Sequence, residues 1–289
     1  MSEFEDYVKA GKIASQAREY GRKLFKPEAK IVDIAEAVEN KMRDLGAEPG
    51  FPTCISLNDI AAHYSPFVND AIELKEGDVA KLDMGSHING FVADTACTVE
   101  VKTNKWKNLI KASEDALAAA IKVVKPEVSL SEVGKAIQAT IEKAGFHSIT
   151  NLCGHGLNQY IVHDWPIVPN YDNKDPTKLK EGQAIAIEPF STTGSGLVSD
   201  GKPCGIYALI NKKPTRLQSA RQVIQLIEKK YNTLPFSCRW IKVPNAQFIL
   251  RQLESEGILK QYTQLPEKSR GMVAQTEHSI IVGKNVITE

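Results

Sequence analysis

The sequence predicts an α/β protein built from two copies of a helix-helix-sheet unit, with a basic helical insert in the second copy. Three observations carry this. The segments LKEGDVAKLD (74–83) and LKEGQAIAIE (179–188) align without a gap at an offset of 105 residues, and each ends on a carboxylate, Asp83 or Glu188. Two helix-like segments precede each copy, so the order of elements repeats as well as the letters. Between residues 200 and 260 the texture changes to helix-like, lysine- and arginine-rich sequence. Two copies at this period are too few and too long for a solenoid.

The elements follow in order. The first 25 residues read as an amphipathic helix opened by Ser2 and Glu5 at capping-box spacing. A second helix is expected near Glu28 to Leu45, after Pro27 and before Gly46. DVAKLDMG and FVADTACTVEV then form a hairpin, because Asn89-Gly90 is a strong two-residue turn signal. The second unit starts with helices near Asn104 to Val124 and Ser129 to Lys143, the latter with Ser129 and Glu132 as a capping box. Strand-like segments at 151–168 and 183–190 follow, then helix-like runs at 217–230 and 246–256, and a closing strand at 272–282. Residues 1–199 and 261–289 are expected to form one domain, with halves dividing near residue 103, and 200–260 a helical, winged-helix-like insert.

Composition narrows the class. The chain of 289 residues is 42% apolar and 25% charged with a formal net charge of +1, which gives no global bias toward nucleic acid or membrane. No apolar run approaches the ~20 residues that span a bilayer. The near-neutral total hides an asymmetry: residues 201–270 hold 13 Lys+Arg against 4 Asp+Glu, and the remainder 23 against 31. The N-terminus is unlike a signal peptide. Five scattered cysteines (Cys54, Cys97, Cys153, Cys204 and Cys238) never fall in CxxC spacing, so reduced thiols and a cytoplasmic location are expected.

The hairpin brings up the chemistry. With Asn89 and Gly90 in the turn, Asp83 opposes Ala96, so Asp83 and Asp94 share a face. Aspartate is depleted in strands; two on one face are either solvated or held by a cation. Further acids occupy similar settings. Glu188 ends the alternating run QAIAIE, and Glu277 sits in the apolar strand AQTEHSIIV. His155 lies in NLCGHGL, where glycines on both sides allow close backbone approach. Two Asp, two Glu and one His form an oxygen-rich set with a single nitrogen, better suited to a pair of divalent first-row ions than to one structural zinc.

The quintet Asp83, Asp94, His155, Glu188 and Glu277, in this order, resembles the metal ligands of the methionine aminopeptidases. The motifs that carry the resemblance are FPTCISLNDIAAHYSP (51–66), the Asp-x₁₀-Asp hairpin, NLCGHGL, AIEPFSTTGSGLV and AQTEHSIIV. They look like the type 2 branch in its short archaeal form, and the likeness spans essentially the whole chain. It implies the duplicated pita-bread fold and two divalent ions (Co²⁺, Mn²⁺, Fe²⁺, Ni²⁺ or Zn²⁺). Asp94 and Glu277 would bridge them, Asp83 would hold one, and His155 with Glu188 the other. Glu188 would also be the base. His63 and His163 would bind the scissile carbonyl and the departing amide, and Phe51, Val162, Tyr262 and Leu265 would line a methionine pocket. His87, His147 and His278 are read as structural.

Two departures touch the substrate pocket. Asp164-Trp165 is unusual in the segment after the metal histidine, and Ile206 stands where some type 2 enzymes place a histidine. The resemblance implies removal of methionine from nascent proteins with a small second residue; a monomer is expected, and the positive surplus of the insert points to a docking surface for the ribosome. The alternatives are an aminopeptidase P or prolidase, which usually carries an extra N-terminal domain, and a non-enzymatic RNA- or ribosome-binding relative, which generally loses metal ligands.

Overall fold

A computed structural model describes residues 2–289. The first helix, α1 (Glu3–Arg22), carries the expected capping box, with the Glu5 amide donating to Ser2 Oγ and the Ser2 amide to Glu5 Oε2. Its buried face is rich in small residues, Ala10, Gly11, Ala14, Ala17 and Gly21. They let the helix lie close to the sheet: a Cβ on Gly21 would meet Leu82 Cδ2 at 2.6 Å. Helix α2 (Ile31–Asp44) starts three residues later than the sequence implies. Glu28 takes φ +69° and its amide donates to the Leu74 carbonyl, so the backbone before Ile31 is committed to pairing.

The hairpin forms in the expected register. Strands β1 (Cys54–Leu57), β2 (Val79–Ile88) and β3 (Phe91–Glu100) are antiparallel neighbours, with Ile88 opposite Phe91 and Asp83 opposite Ala96. Helices α3 (Lys107–Val123) and α4 (Leu130–Lys143) follow, and the Ser129–Glu132 capping box is present. Then come β4 (Cys153–Asn158), β5 (Ile161–Pro169), β6 (Ala184–Ile187) and β7 (Phe190–Thr192). After the insert, β11 (Val273–Gln275) and β12 (Glu277–Ile281) return the chain to the body. The main sheet has eight strands. Its path runs from Glu48–Pro49 through β2, β3, β12, β6 and β4 to β5, with β1 also paired to β2. The second unit's closing strand, β12, joins the two halves by pairing with β3 on one side and β6 on the other.

The repeat is visible in the backbone bonds. The Glu28 amide donates to Leu74 O at 2.8 Å, and the Glu127 amide to Leu179 O at 2.9 Å. Gly77 donates to Val101 O and Gly182 to Val282 O, each at 2.9 Å, with both glycines at positive φ. LKEG is therefore the same turn, closed the same way, in each unit. One apolar core lies beneath each unit, the first around Leu82, Met84 and Ile55, the second around Ile137, Ile185 and Ile187.

The basic stretch forms the two expected helices, α5 (Gln218–Lys230) and α6 (Ala246–Ser255), but it is not purely helical. It also contains a three-stranded antiparallel sheet of β8 (Pro203–Leu209), β9 (Phe236–Ser237) and β10 (Leu259–Thr263). β9 is only two residues long and β8 is buried along most of its length, so neither gives a period-2 signal. A third core packs between them, with the Tyr231 and Phe236 rings stacked at 5.3 Å.

The GSG of the AIEPFSTTGSGLV motif closes the return from this region. Buried Glu267 accepts hydrogen bonds from the Gly196, Ser269 and Gly271 amides and from the Ser195 and Ser269 hydroxyls. Burial pushes its carboxyl up, but the bonds from Ser195, Gly271 and Ser269 outweigh this and hold it at about 2. A Cβ on Gly194 would sit 2.3 Å from the carboxylate, so only glycine fits there.

Candidate metal centre

Strand pairing assembles the five candidate ligands on one face. Asp83 is opposite Ala96, and Ala96 is opposite Glu277, which makes a row across β2, β3 and β12. Asp94 is two residues from Ala96 and so projects from the same face. His278 is opposite Ile187, which sets Glu188, just past β6, beside Glu277. His155 is opposite Ala186, two residues before Glu188. The glycines around His155 permit this closeness: a Cβ on Gly154 would lie 2.2 Å from Ala186 O.

Ligand atoms of Asp94, His155 and Glu277 all lie within 4.8 Å of one another, and all three residues are buried. His155 Nε2 is 3.7 Å from Asp94 Oδ2 and 3.8 Å from Glu188 Oε1, too far for hydrogen bonds. With Nδ1 donating to the Gly156 carbonyl at 3.2 Å, Nε2 is left with a lone pair aimed at the carboxylates. Burial, then the neighbouring His163, hold the His155 ring neutral, down to about 3. It therefore brings no positive charge to offset four acids.

The acids accordingly repel. Burial raises the Asp83 carboxyl to about 6. Burial and then mutual repulsion raise Asp94, Glu188 and Glu277 well above the carboxylate range. Asp83 Oδ1, Asp94 Oδ1 and Glu277 Oε1 are buried without any hydrogen-bond partner. Unpaired buried oxygens of this kind are costly. A divalent cation would satisfy them, so the residues present fit a metal site of hard oxygen ligands with one imidazole.

One residue near the centre escaped the sequence reading. Gln275 Nε2 donates to Asp83 Oδ2 and to Glu188 Oε2, each at 3.3 Å, tying the repeat's two carboxylates together. Its signal was present, because Gln275 precedes Glu277 by two. Ser279, two residues beyond, accepts from the Asp94 amide and donates to the Asp94 carbonyl.

A cavity of about 200 Å³ opens over this face. Phe51, Val162, Tyr262, His63 and His163 line it together with the ligands. His63 takes φ +68°, and its ring meets Tyr262 edge-on at 5.8 Å, while the His163 ring lies 4.5 Å from that of His155. Burial lowers both histidines, His63 to about 4, so both stay neutral near pH 7. Leu265 does not line the cavity. It pairs with Ala62 and packs in a cluster with Ile149, Phe190 and Val198, of which Ala62 and Phe190 themselves line the cavity. Ile206, Pro235 and Tyr262 reach the cavity from the 203–263 region, which thus forms one of its walls. His87 Nδ1 accepts from the Gly90 amide, His147 pairs in a short strand with Thr192, and His278 contacts Arg18 and Thr288. All five cysteines are free. No helix among the described residues is long and apolar enough to cross a membrane.

Comparison with known proteins agrees with this geometry. Residues 5–282 match the model of metallopeptidase family M24, a family of divalent-metal enzymes. The methionine aminopeptidase of Archaeoglobus fulgidus is 45% identical over 278 residues, covering 96% of this chain and 94% of that protein. That of Methanocaldococcus jannaschii is 44% identical over 283 residues, covering 98% and 96%. Among solved structures, a thermophilic Arx1 superposes with a TM-score of 0.84 at 18% identity, covering 98% of this chain and 89% of that one, which speaks to the fold alone. With its buried acid–histidine cluster and near-full-length likeness to archaeal enzymes, the chain belongs to metallopeptidase family M24 and, within it, to the methionine aminopeptidases.

Proposed function

We propose that this aminopeptidase removes the N-terminal methionine of proteins with a small second residue and works with two divalent ions. The observation that carries the reading is the convergence of four buried carboxylates and a neutral histidine on one wall of a largely apolar cavity. Asp83 would hold one ion, His155 and Glu188 the other, with Asp94 and Glu277 shared. Divalent ions there would polarise the scissile carbonyl and make a water nucleophilic at neutral pH. Glu188 takes the proton of the attacking water and returns it to the departing amine. His63 and His163, both neutral, hydrogen-bond the scissile carbonyl and the leaving nitrogen. Phe51, Val162 and Tyr262 give the unbranched methionine side chain an apolar slot. The domain division at residues 200–260 belongs to the same reading, with the insert supplying a wall of the pocket.

A peptide panel tests the reading. With Co²⁺ or Mn²⁺, Met-Ala-Ser and Met-Gly peptides are cleaved, while Met-Lys peptides and Xaa-Pro peptides resist. Metal analysis finds two equivalents bound, and exhaustive chelation abolishes turnover. Full activity after chelation, or equal cleavage of peptides that do not begin with methionine, would overturn it.

The substrates are taken to be nascent chains, with the insert docking on ribosomal RNA. Arg239 must be removed from that surface: it is buried and paired with Glu39, so it has no part in external contacts. Lys229, Lys230 and Lys242 are exposed and make no ion pair among the described residues. Reversing these three lysines to glutamate should weaken co-sedimentation with ribosomes and flatten its salt dependence while leaving tripeptide cleavage unchanged. Co-sedimentation indifferent to the reversal would sink the docking role.

A further inference from the structure

Strand β5 carries large apolar side chains just outside the cavity it helps to line. Val162 and His163 reach the cavity, whereas Trp165 and Ile167 are 55% and 60% exposed. β5 is also the outermost strand of the main sheet. Two large exposed apolar residues beside a pocket on one strand form a patch of the kind that marks a binding surface. Asp164-Trp165, unusual in the sequence, is part of it.

The geometry ties this patch to the active face. Ile167 is opposite His155, and residues opposite each other across two strands project from the same face. The register then shifts, and the next pair is Asp164 with Gly156, which leaves Trp165 and Pro166 as a bulge. Bulges next to active sites re-aim side chains. This one is held on both sides. Asp164 accepts hydrogen bonds from Asn158 Nδ2 at 3.0 Å and from the Trp165 amide at 2.8 Å. A Cβ on Gly156 would lie 2.1 Å from Trp165 O, so the neighbouring strand is packed directly against the bulge.

We propose that Trp165 and Ile167 form a fixed ledge that binds the third and fourth residues of the polypeptide substrate and favours apolar side chains there. This rests on the reading of the cavity given above. A methionine seated between Phe51 and Tyr262, with its carbonyl at His63 and His163, leaves the rest of the chain to depart past His163. Asp164 and Ile167 face the consecutive residues Gly156 and His155, so at a rise of ~3.3 Å per residue Ile167 lies only roughly 7 Å beyond His163 along the strand, with Trp165 bulging out between them. An extended peptide reaches that far with its third and fourth residues.

Steady-state kinetics on three substrates decides the matter: Met-Ala-Ser, Met-Ala-Leu-Phe-Leu-Ser and Met-Ala-Ser-Ser-Ser-Ser. The wild-type enzyme with Co²⁺ should show a KM for the apolar hexapeptide about fivefold below that for the serine hexapeptide, as partial burial of a tryptophan and an isoleucine would give. Trp165→Ala with Ile167→Ser should remove that difference, mainly through KM, and Ile167→Ser alone should remove part of it. A wild-type enzyme that treats both hexapeptides alike, or a double variant that keeps the preference, overturns the ledge. Failure to cleave even Met-Ala-Ser would instead overturn the underlying reading of the cavity.

Discussion

Glu188→Gln should lower turnover of Met-Ala-Ser by ~10²-fold or more while most of the bound metal remains. Glu188 Oε2 is tied to Gln275, and Oε1 is the oxygen that approaches His155 Nε2 at 3.8 Å. A glutamine preserves the shape and leaves one oxygen to face the site, so the cavity and its ligands stay in place. It cannot accept the water's proton, and that is the step it is expected to disable. Two further measurements separate a lost base from a lost metal. Metal analysis of Glu188→Gln should stay close to two equivalents, whereas Asp94→Ala should deplete both sites, since Asp94 faces both His155 and Glu277. A Glu188→Gln enzyme that turns over near the wild-type rate would move the base to another residue, with His63 and His163 as the next groups to change.

The centre was legible in the sequence because strands obey a period of two. Once Asn89-Gly90 fixed the hairpin register, the common face of Asp83 and Asp94 followed, and the LKEG repeat placed Glu188 at the matching point of the second unit. Two kinds of information stayed hidden. Gln275 lies in AQTEHSIIV two residues before Glu277, but its role depends on the pairing of β11 with β7, which local sequence does not fix. Leu265 shows another limit: likeness to a family transfers a position, but whether the side chain reaches the cavity or packs behind Ala62 and Phe190 depends on tertiary packing. The sheet within the basic region was missed because one edge strand is only two residues long and its middle strand, β8, is buried almost throughout and shows no alternation. Arg239, one of the 13 basic residues between 201 and 270, is buried, and burial of a single arginine leaves no trace in composition.

Arg239→Ala should destabilise the protein by about 3–5 kcal/mol, because it leaves the Glu39 carboxylate buried without its partner. The pair is bidentate, with Nη2 to Oε1 at 2.6 Å and Nη1 to Oε2 at 3.1 Å. Glu39 also accepts from Trp240 Nε1 at 2.7 Å and from the Thr53 amide at 3.3 Å, and Arg239 Nε donates to Pro66 O at 3.0 Å. These bonds link helix α2 of the first unit to the turn before α6, and thereby hold the region that supplies Ile206, Pro235 and Tyr262 to the cavity. Urea midpoints for Glu39→Met, Arg239→Met and the double variant form a cycle that reads the coupling. The double variant should retain more stability than either single one, since no charge is then stranded in the interior. Arg239→Met should also raise KM for Met-Ala-Ser more than it lowers kcat, because the pocket wall loosens while the ligands and Glu188 are untouched. Single variants as stable as wild type, or a cycle with no coupling, would mean that the carboxylate reaches water and that apolar packing alone holds the insert to the body.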